Sequence, residues 1–271
     1  MALVAVSDSF DDLRCLQVRF LEEAARLGPV HVLLWPDEMV ERTSGRAPKL
    51  PQEERLYFVS SIRYVDRVTL VEGTFDESTL PHVQGFRPEM WAMMQGQDGP
   101  AVLSFCQATG IACRVISDEQ LVGFPSPPPP PLTPGRKKVL VTGCYDWLHT
   151  GHVRFFEEVS EYGDLYVCVG HDANIVLLKG PGHPLFKQEQ RRYMAWSIRY
   201  VTSALVTSGD GWLDAEPEIR LIRPDIYAVN EDGDKPEKKE YCEQHGIQYL
   251  VLKRLPKPGL PRRQSTILRG F

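Results

Sequence analysis

The six cysteines, Cys15, Cys106, Cys113, Cys144, Cys168 and Cys242, include no Cys-x-x-Cys pair. Several sit inside apolar, strand-like runs, so buried free thiols in a reducing compartment are expected rather than disulfides or a zinc site. No apolar stretch is long enough to span a bilayer. The N-terminus, Met1-Ala2-Leu3-Val4-Ala5-Val6 turning acidic at Asp8, has neither the basic start nor the apolar run of a secretory signal, and a cytoplasmic location is the expectation. Positive charge is in deficit: 31 Lys and Arg against 36 Asp and Glu leave a net charge of −5. Binding of nucleic acid through a basic surface is thereby disfavoured, and any anionic ligand has to be met by a local positive site. No GxGxxG follows a strand-like run, which leaves a dinucleotide site poorly supported.

Proline, by contrast, is plentiful and unevenly placed. Of 22 prolines, seven fall between Phe124 and Gly135, in a stretch that favours polyproline II and excludes a helix interior or a central strand. The stretch 124–135 reads as a linker between two domains, 1–123 and 136–271. With 271 residues and 42% hydrophobic content, each half can bury a core of its own. The halves carry one unit twice. Gln52-Glu53, Arg55 and Ser61-Ile62-Arg63-Tyr64-Val65 recur 136 residues later as Gln188-Glu189, Arg191 and Ser197-Ile198-Arg199-Tyr200-Val201. The same offset carries Arg87-Pro88 to Arg223-Pro224 and Gly110-Ile111 to Gly246-Ile247. Ser9-Phe10-Asp11-Asp12-Leu13 matches Cys144-Tyr145-Asp146-Trp147-Leu148 at an offset of 135, so one residue was gained or lost between.

In the second half, strands are expected near 138–143, 164–170, 203–207, 225–229 and 248–252, with helices near 151–162, 187–199, 212–222 and 235–245. This alternation predicts an α/β protein made of two tandem Rossmann-like, doubly wound domains with parallel sheets, whose ligands bind at the carboxyl ends of the strands. At one such end stands His149-Thr150-Gly151-His152. It follows the apolar run Val139-Leu140-Val141-Thr142-Gly143 and opens the amphipathic stretch Val153-Arg154-Phe155-Phe156-Glu157-Glu158-Val159. Two imidazoles therefore meet a helix N-terminus, whose unpaired N–H groups and dipole attract phosphate, and Gly151, without a Cβ, lets phosphate come close. A local cap is the plainer alternative for the same residues. In the first half Arg14-Cys15-Leu16-Gln17 occupies these positions, so that copy has lost both histidines and the glycine.

The string Gly143-Cys144-Tyr145-Asp146-Trp147-Leu148-His149-Thr150-Gly151-His152 resembles the GxFDxxHxGH signature of the cytidylyltransferase-like nucleotidyltransferases. A second segment, Arg263-Gln264-Ser265-Thr266-Ile267-Leu268-Arg269, resembles the family's ISSTxxR motif, and the two stand in the family's order. Lys179, before Gly180-Pro181-Gly182, is similar to the family's loop lysine, and Arg199-Tyr200-Val201 resembles its RYV segment. Asn230-Glu231-Asp232, and Gly233-Asp234-Lys235-Pro236-Glu237 beyond them, resemble the acidic strand-end segments of glycerol-3-phosphate cytidylyltransferases and heptose adenylyltransferases. Trp212 aligns with a tryptophan of the former, although a Trp opening a helix is more often core.

The resemblance implies attack by an acceptor phosphate on the α-phosphorus of a nucleoside triphosphate, with pyrophosphate leaving in line. Such chemistry depends on positioning and charge compensation rather than on a protein nucleophile. His149, His152 and Lys179 would then be catalytic. Thr142, Gly143, Cys144, Tyr145, Gly151, Arg199, Asn230, Glu231, Asp232, Ser265, Thr266 and Arg269 would bind the nucleotide. Asp146, Trp212 and Lys179 would face the acceptor. Mg²⁺ is expected through the nucleotide phosphates, with no dedicated protein cage. CTP is favoured as donor over ATP on the RYV and GCYD segments, with sugar-phosphate adenylyl transfer the alternative. The acceptor is expected to be a small polyol phosphate, sugar phosphate or phosphonate. The first half is expected to act as a built-in partner in an intramolecular pseudo-dimer, with a homodimer also open. A catalytically silent nucleotide-binding regulator remains the reading of another class. An aminoacyl-tRNA synthetase, which also uses HxGH, is disfavoured by the missing lysine-rich KMSKS-like loop.

Overall fold

In the computed structural model, which describes residues 2–130 and 134–263, the chain forms two compact units, Met1–Gly123 and Phe124–Phe271. The first is built from β1 (Val4–Asp8), α1 (Cys15–Ala25), β2 (Val30–Leu34), α2 (Asp37–Ser44), α3 (Gln52–Ser60), β3 (Arg67–Leu70), β4 (Met90–Met94), α4 (Pro100–Thr109) and β5 (Ala112–Ile116). The second repeats the series with one helix more: β6 (Lys138–Gly143), α5 (Thr150–Ser160), β7 (Asp164–Val169), α6 (Asp172–Lys179), α7 (Gln188–Trp196), β8 (Ser203–Val206), α8 (Glu216–Ile222), β9 (Ile226–Asn230), α9 (Pro236–His245) and β10 (Gln248–Leu252), α8 being the additional helix.

Both sheets are parallel and doubly wound. Their orders, β3-β2-β1-β4-β5 and β10-β9-β6-β7-β8, are one order read from opposite ends. Each sheet therefore has its topological switch point at equivalent strands, between β1 and β4 and between β6 and β9, where a crevice opens at the strand ends. The strands are hydrophobic on both faces, as a sheet covered by helices on both sides requires. Val139, Val141 and Val167 are fully buried, while Leu140, Tyr166, Cys168 and Tyr227 cluster with Ile219 and Ile222 of α8 and Cys242 of α9. Each such apolar side chain removed from water contributes about 1.5–3 kcal/mol.

The internal repeat extends to individual hydrogen bonds. Buried Arg191 donates to the carbonyls of Phe186 (2.9 Å), Cys144 (2.7 Å) and Gly170 (2.7 Å) and to the Asp172 carboxylate (2.8 Å). Arg55 does the same with Leu50, Ser9, Trp35 and Asp37 at 2.6–3.0 Å. Asp146 Oδ1 accepts the N–H groups of Leu185 (2.7 Å) and Phe186 (2.9 Å), and Asp11 Oδ1 those of Lys49 (2.6 Å) and Leu50 (3.2 Å). A Cβ on Gly28 would lie 2.0 Å from the Ala2 carbonyl oxygen, and one on Gly163 2.1 Å from that of Lys137. These bonds pin the loop after the first strand of each unit to its third helix, and explain why Gln-Glu-x-Arg recurs.

Three details depart from the sequence expectation. Helix α6 was not foreseen, because Val176, Leu177 and Leu178 are all exposed and give it no amphipathic stripe. The helix expected over 212–222 is split into a 3₁₀ turn, Gly211–Leu213, and α8, because Pro217 fits a first turn but cannot lie inside a longer helix. The cysteines are all free, but Cys113 and Cys144 are only partly buried. The proline-rich stretch starts docked on α7, where Phe124 packs on Tyr193 (5.4 Å) and its carbonyl accepts from Arg192 (3.4 Å). Among the described residues, no helix is long and apolar enough to cross a membrane.

Candidate active site

A cleft of about 240 Å³ opens at the carboxyl ends of β6 and β9, at the switch point of the second sheet. Its floor is the β6–α5 junction. The strand ends at Gly143, and Tyr145 follows with φ 51°, a left-handed conformation that bulky residues rarely adopt. Phe10 takes φ 47° at the equivalent place in the first unit, so this strain belongs to the shared turn rather than to chemistry.

His149 caps α5: its Nδ1 accepts the Gly151 N–H at 3.0 Å. A neutral imidazole that accepts on Nδ1 carries its proton on Nε2. That Nε2 is buried and has no partner among the described residues, and the same holds for His152 Nδ1. The two rings lie 4.0 Å apart at 32°, and Tyr145 stands edge-on to His152 at 5.4 Å. Burial, with Arg254 and Arg263 nearby, pushes His149 down to about 3. Burial also drives His152 well below the usual histidine range, reinforced by His149, Arg254 and Lys179. Both are therefore neutral donors at pH 7, held in place before any ligand arrives. Gly151 has a second duty besides close approach, since a Cβ there would lie 2.9 Å from His149 Cε1 and displace the ring.

Around this floor the cleft gathers cations that sequence motifs reported only in part. Lys179 lines it from the last residue of α6 rather than from within the glycine-rich loop. Arg254, two residues beyond β10, lines it too and is ion-paired to Asp232. Lys238, on α9, completes the set, and His183 lines the cleft beside them. Arg254 and Lys238 were missed because neither belongs to a motif. The signal available for Arg254 was its position, a basic residue just past the carboxyl end of a strand in an α/β sheet.

A family model described as Cytidylyltransferase-like matches residues 140–257. The FAD synthase of Aciduliprofundum boonei is 35% identical over 125 residues, a match that covers 45% of this chain and 80% of that protein. The chain belongs to the cytidylyltransferase-like family. The FAD synthase of Ferroglobus placidus is 33% identical, over 43% of this chain and 75% of the relative. The bifunctional protein HldE of Syntrophotalea carbinolica is 33% identical over 36% of this chain, but the match spans only 20% of HldE. Among solved structures, the lipopolysaccharide core biosynthesis protein of Thermoplasma volcanium is 22% identical with a TM-score of 0.38, covering 45% of this chain and 99% of its own.

This cytidylyltransferase-like chain brings together in one cleft Thr142, Gly143, Cys144, Tyr145, Asp146, Gly151, His152, Lys179, Asn230 and Asp232. His149 lies behind His152 against the same floor. Thr142 shares a hydrogen bond of 2.7 Å with Tyr227. The Asn230 side-chain oxygen is buried without a partner among the described residues. Four of the expected residues are placed off the cleft lining or committed to other partners. Arg199 is exposed in the turn after α7 and does not line the cleft. Trp212 is 46% exposed and also lies off the cleft lining. Glu231 is exposed and pairs with Arg262 at 3.7 Å. Asp146 reaches the cleft wall, but its Oδ1 is committed to the backbone in the manner of Asp11, which is scaffolding. Ser265, Thr266 and Arg269 lie outside the described residues.

The first unit differs at the equivalent positions. Asp8 occupies the position of Gly143, placing a carboxyl group where phosphate would enter, and burial raises its pKa. Arg14, in the place of His149, pairs with Asp12 at 2.7 Å, and Lys49 pairs with the same carboxylate at 2.9 Å. Its cations are neutralised internally.

Proposed function

We propose that the second unit transfers a nucleoside monophosphate from a nucleoside triphosphate to a small phosphorylated acceptor, releasing pyrophosphate. The observation that carries this reading is the pair of neutral, buried imidazoles with unpartnered nitrogens, set at a helix N-terminus beside Lys179 and Arg254. Donors fixed in a water-poor site stabilise charge that develops in a transition state without reorganising. The Nε2–H of His149 and the ring of His152 would serve the α-phosphate and the leaving oxygen. Lys179 and Arg254 would balance the triphosphate's charge, and the α5 N–H groups would hold its oxygens.

ATP is the donor we favour. The relatives covered to 75–80% of their length are named FAD synthase, and that dinucleotide contains an adenylyl group. The RYV segment, which spoke for CTP, lies in the turn after α7 and does not line the cleft, with Arg199 exposed and Val201 buried. CTP stays as the second reading, because Gly143-Cys144-Tyr145-Asp146 does line the cleft. A polyol or sugar phosphate is the acceptor class we favour. For Mg²⁺ carried in by the phosphates, Asn230 Oδ1 and the Asp232 carboxylate are the oxygens at hand, and oxygen donors suit a hard cation. The bound ion would add charge neutralisation at the phosphates.

The test is pyrophosphate release by the full chain with ATP or CTP, against a panel of polyol phosphates, sugar phosphates and phosphonates. Turnover with ATP and at least one acceptor is expected. Nucleotide binding without turnover across the whole panel would favour a silent regulator instead.

A further inference from the structure

Lys238 has no part in the chemistry described above, yet it lines the same cleft. It is rooted on α9, its Nζ donates to the Gly233 carbonyl at 3.3 Å, and it stands 5.8 Å above the ring of Tyr227. That ring is fixed in turn by the Thr142 hydroxyl at 2.7 Å. No carboxylate forms an ion pair with Lys238 among the described residues. The ammonium is thus partly buried and held in place, with the Asp214 and Asp234 carboxylates acting on it only from beyond ion-pair distance. With three N–H groups and one used by Gly233, it retains two for a ligand.

The cleft has two unlike walls. One lies on the β7 side of β6, where the end of α6 and the loop after it bring Lys179 and His183, groups suited to phosphate. The other follows β9 and presents Ala228, Val229 and Gly233, with Lys238 at its edge. Lys179 is rooted at the end of α6, which follows β7, and Lys238 on α9, which follows β9; β7 and β9 flank β6 on opposite sides. Lys238 therefore enters from the side opposite Lys179, beside backbone and small side chains that suit a flat heterocycle.

Building on the proposed reaction, we infer that Lys238 is a specificity-determining residue that donates a hydrogen bond to a ring acceptor of the nucleobase. Adenine offers ring nitrogens for this purpose, and cytosine a ring nitrogen and a carbonyl oxygen. A charge-assisted bond of this kind changes affinity by about 10- to 100-fold.

The experiment is calorimetric titration of the full chain and of Lys238→Met with ATP, with 1-deaza-, 3-deaza- and 7-deaza-ATP, and with tripolyphosphate. Lys238→Met should bind ATP about 10- to 100-fold more weakly and tripolyphosphate unchanged. One deaza analogue should lose as much on the wild type and lose nothing further on the variant. If CTP proves the tighter donor, 3-deaza-CTP replaces the adenine series. Lys238→Arg, which keeps a donor, should retain more affinity than Lys238→Met and guards against a folding artefact. Equal losses for ATP and tripolyphosphate would make Lys238 a phosphate ligand and overturn the inference. So would additive losses for every analogue, or a variant that melts earlier yet binds ATP normally. A wild type that binds no nucleotide would overturn both the proposed reaction and this inference, whereas binding without turnover would overturn the reaction alone, with the titrations still deciding for or against Lys238.

Discussion

Replacing Gly151 by alanine separates folding from chemistry at one atom. The new Cβ would lie 2.9 Å from His149 Cε1 and 3.0 Å from its Nδ1, closer than non-bonded carbon tolerates, so the ring has to move. It cannot move freely, because His149 is buried and faces His152 at 4.0 Å. The bond from the Gly151 N–H to Nδ1 is lost, costing about 0.5–1.5 kcal/mol. Against this, alanine is better than glycine in a helix by up to about 1 kcal/mol. The two nearly cancel, and the melting temperature should stay within a few degrees of the wild type. Catalysis has no such compensation. Misplacing one preorganised donor by about 1 Å lowers kcat by about 10²- to 10³-fold. Thermal melting and pyrophosphate release measured on the same preparation would test both halves. A Gly151→Ala protein with kcat within about threefold of the wild type would refute the account of His149 as a seated donor.

Arg191→Met should destabilise the second unit by about 3–5 kcal/mol, because it leaves the carbonyls of Phe186, Cys144 and Gly170 and the Asp172 carboxylate without their shared donor. Arg55→Met should do the same to the first unit, and urea unfolding showing loss of activity alone in either variant would contradict the scaffold role. His149 has a folded-state pKa of about 3 against an unfolded value near 6.5, so the unfolded chain binds more protons between those limits. Stability from this group is full above about pH 6.5 and falls away as pH drops toward 3; His149→Asn should flatten the slope of unfolding free energy against pH in that window. Arg199→Ala should change kcat/KM by less than about threefold, as expected of a surface residue off the cleft, whereas Arg254→Ala should weaken nucleotide binding by about tenfold or more.

Much of the fold was legible because it rests on period and repetition. The parallel strands follow apolar runs, and β6 and β10 fall where those runs lie. Helix α6 was hidden because it buries little beyond Asn174 and Ile175, so its sequence carries no stripe. The site was legible where it is local, at the strand-to-helix junction, where neighbours in sequence are neighbours in space. It was illegible where it depends on loop paths: Arg254 and Lys238 reach the cleft from β10 and α9, about a hundred residues beyond the histidines.

By itself, then, the sequence determined that one α/β unit occurs twice and that only the second copy holds His149, Gly151 and His152 at a strand end. Apolar periodicity and a constant offset are properties of the chain alone. The tertiary structure decided which polar residues serve chemistry and which serve the scaffold. Asp146 and Arg191 turn inward to hold the loop, as Asp11 and Arg55 do in the copy without histidines. Arg199 stays at the surface off the cleft, and burial beside Arg254 keeps the two imidazoles neutral. Side-chain direction and desolvation are set by packing between distant segments, and a one-dimensional pattern does not contain them.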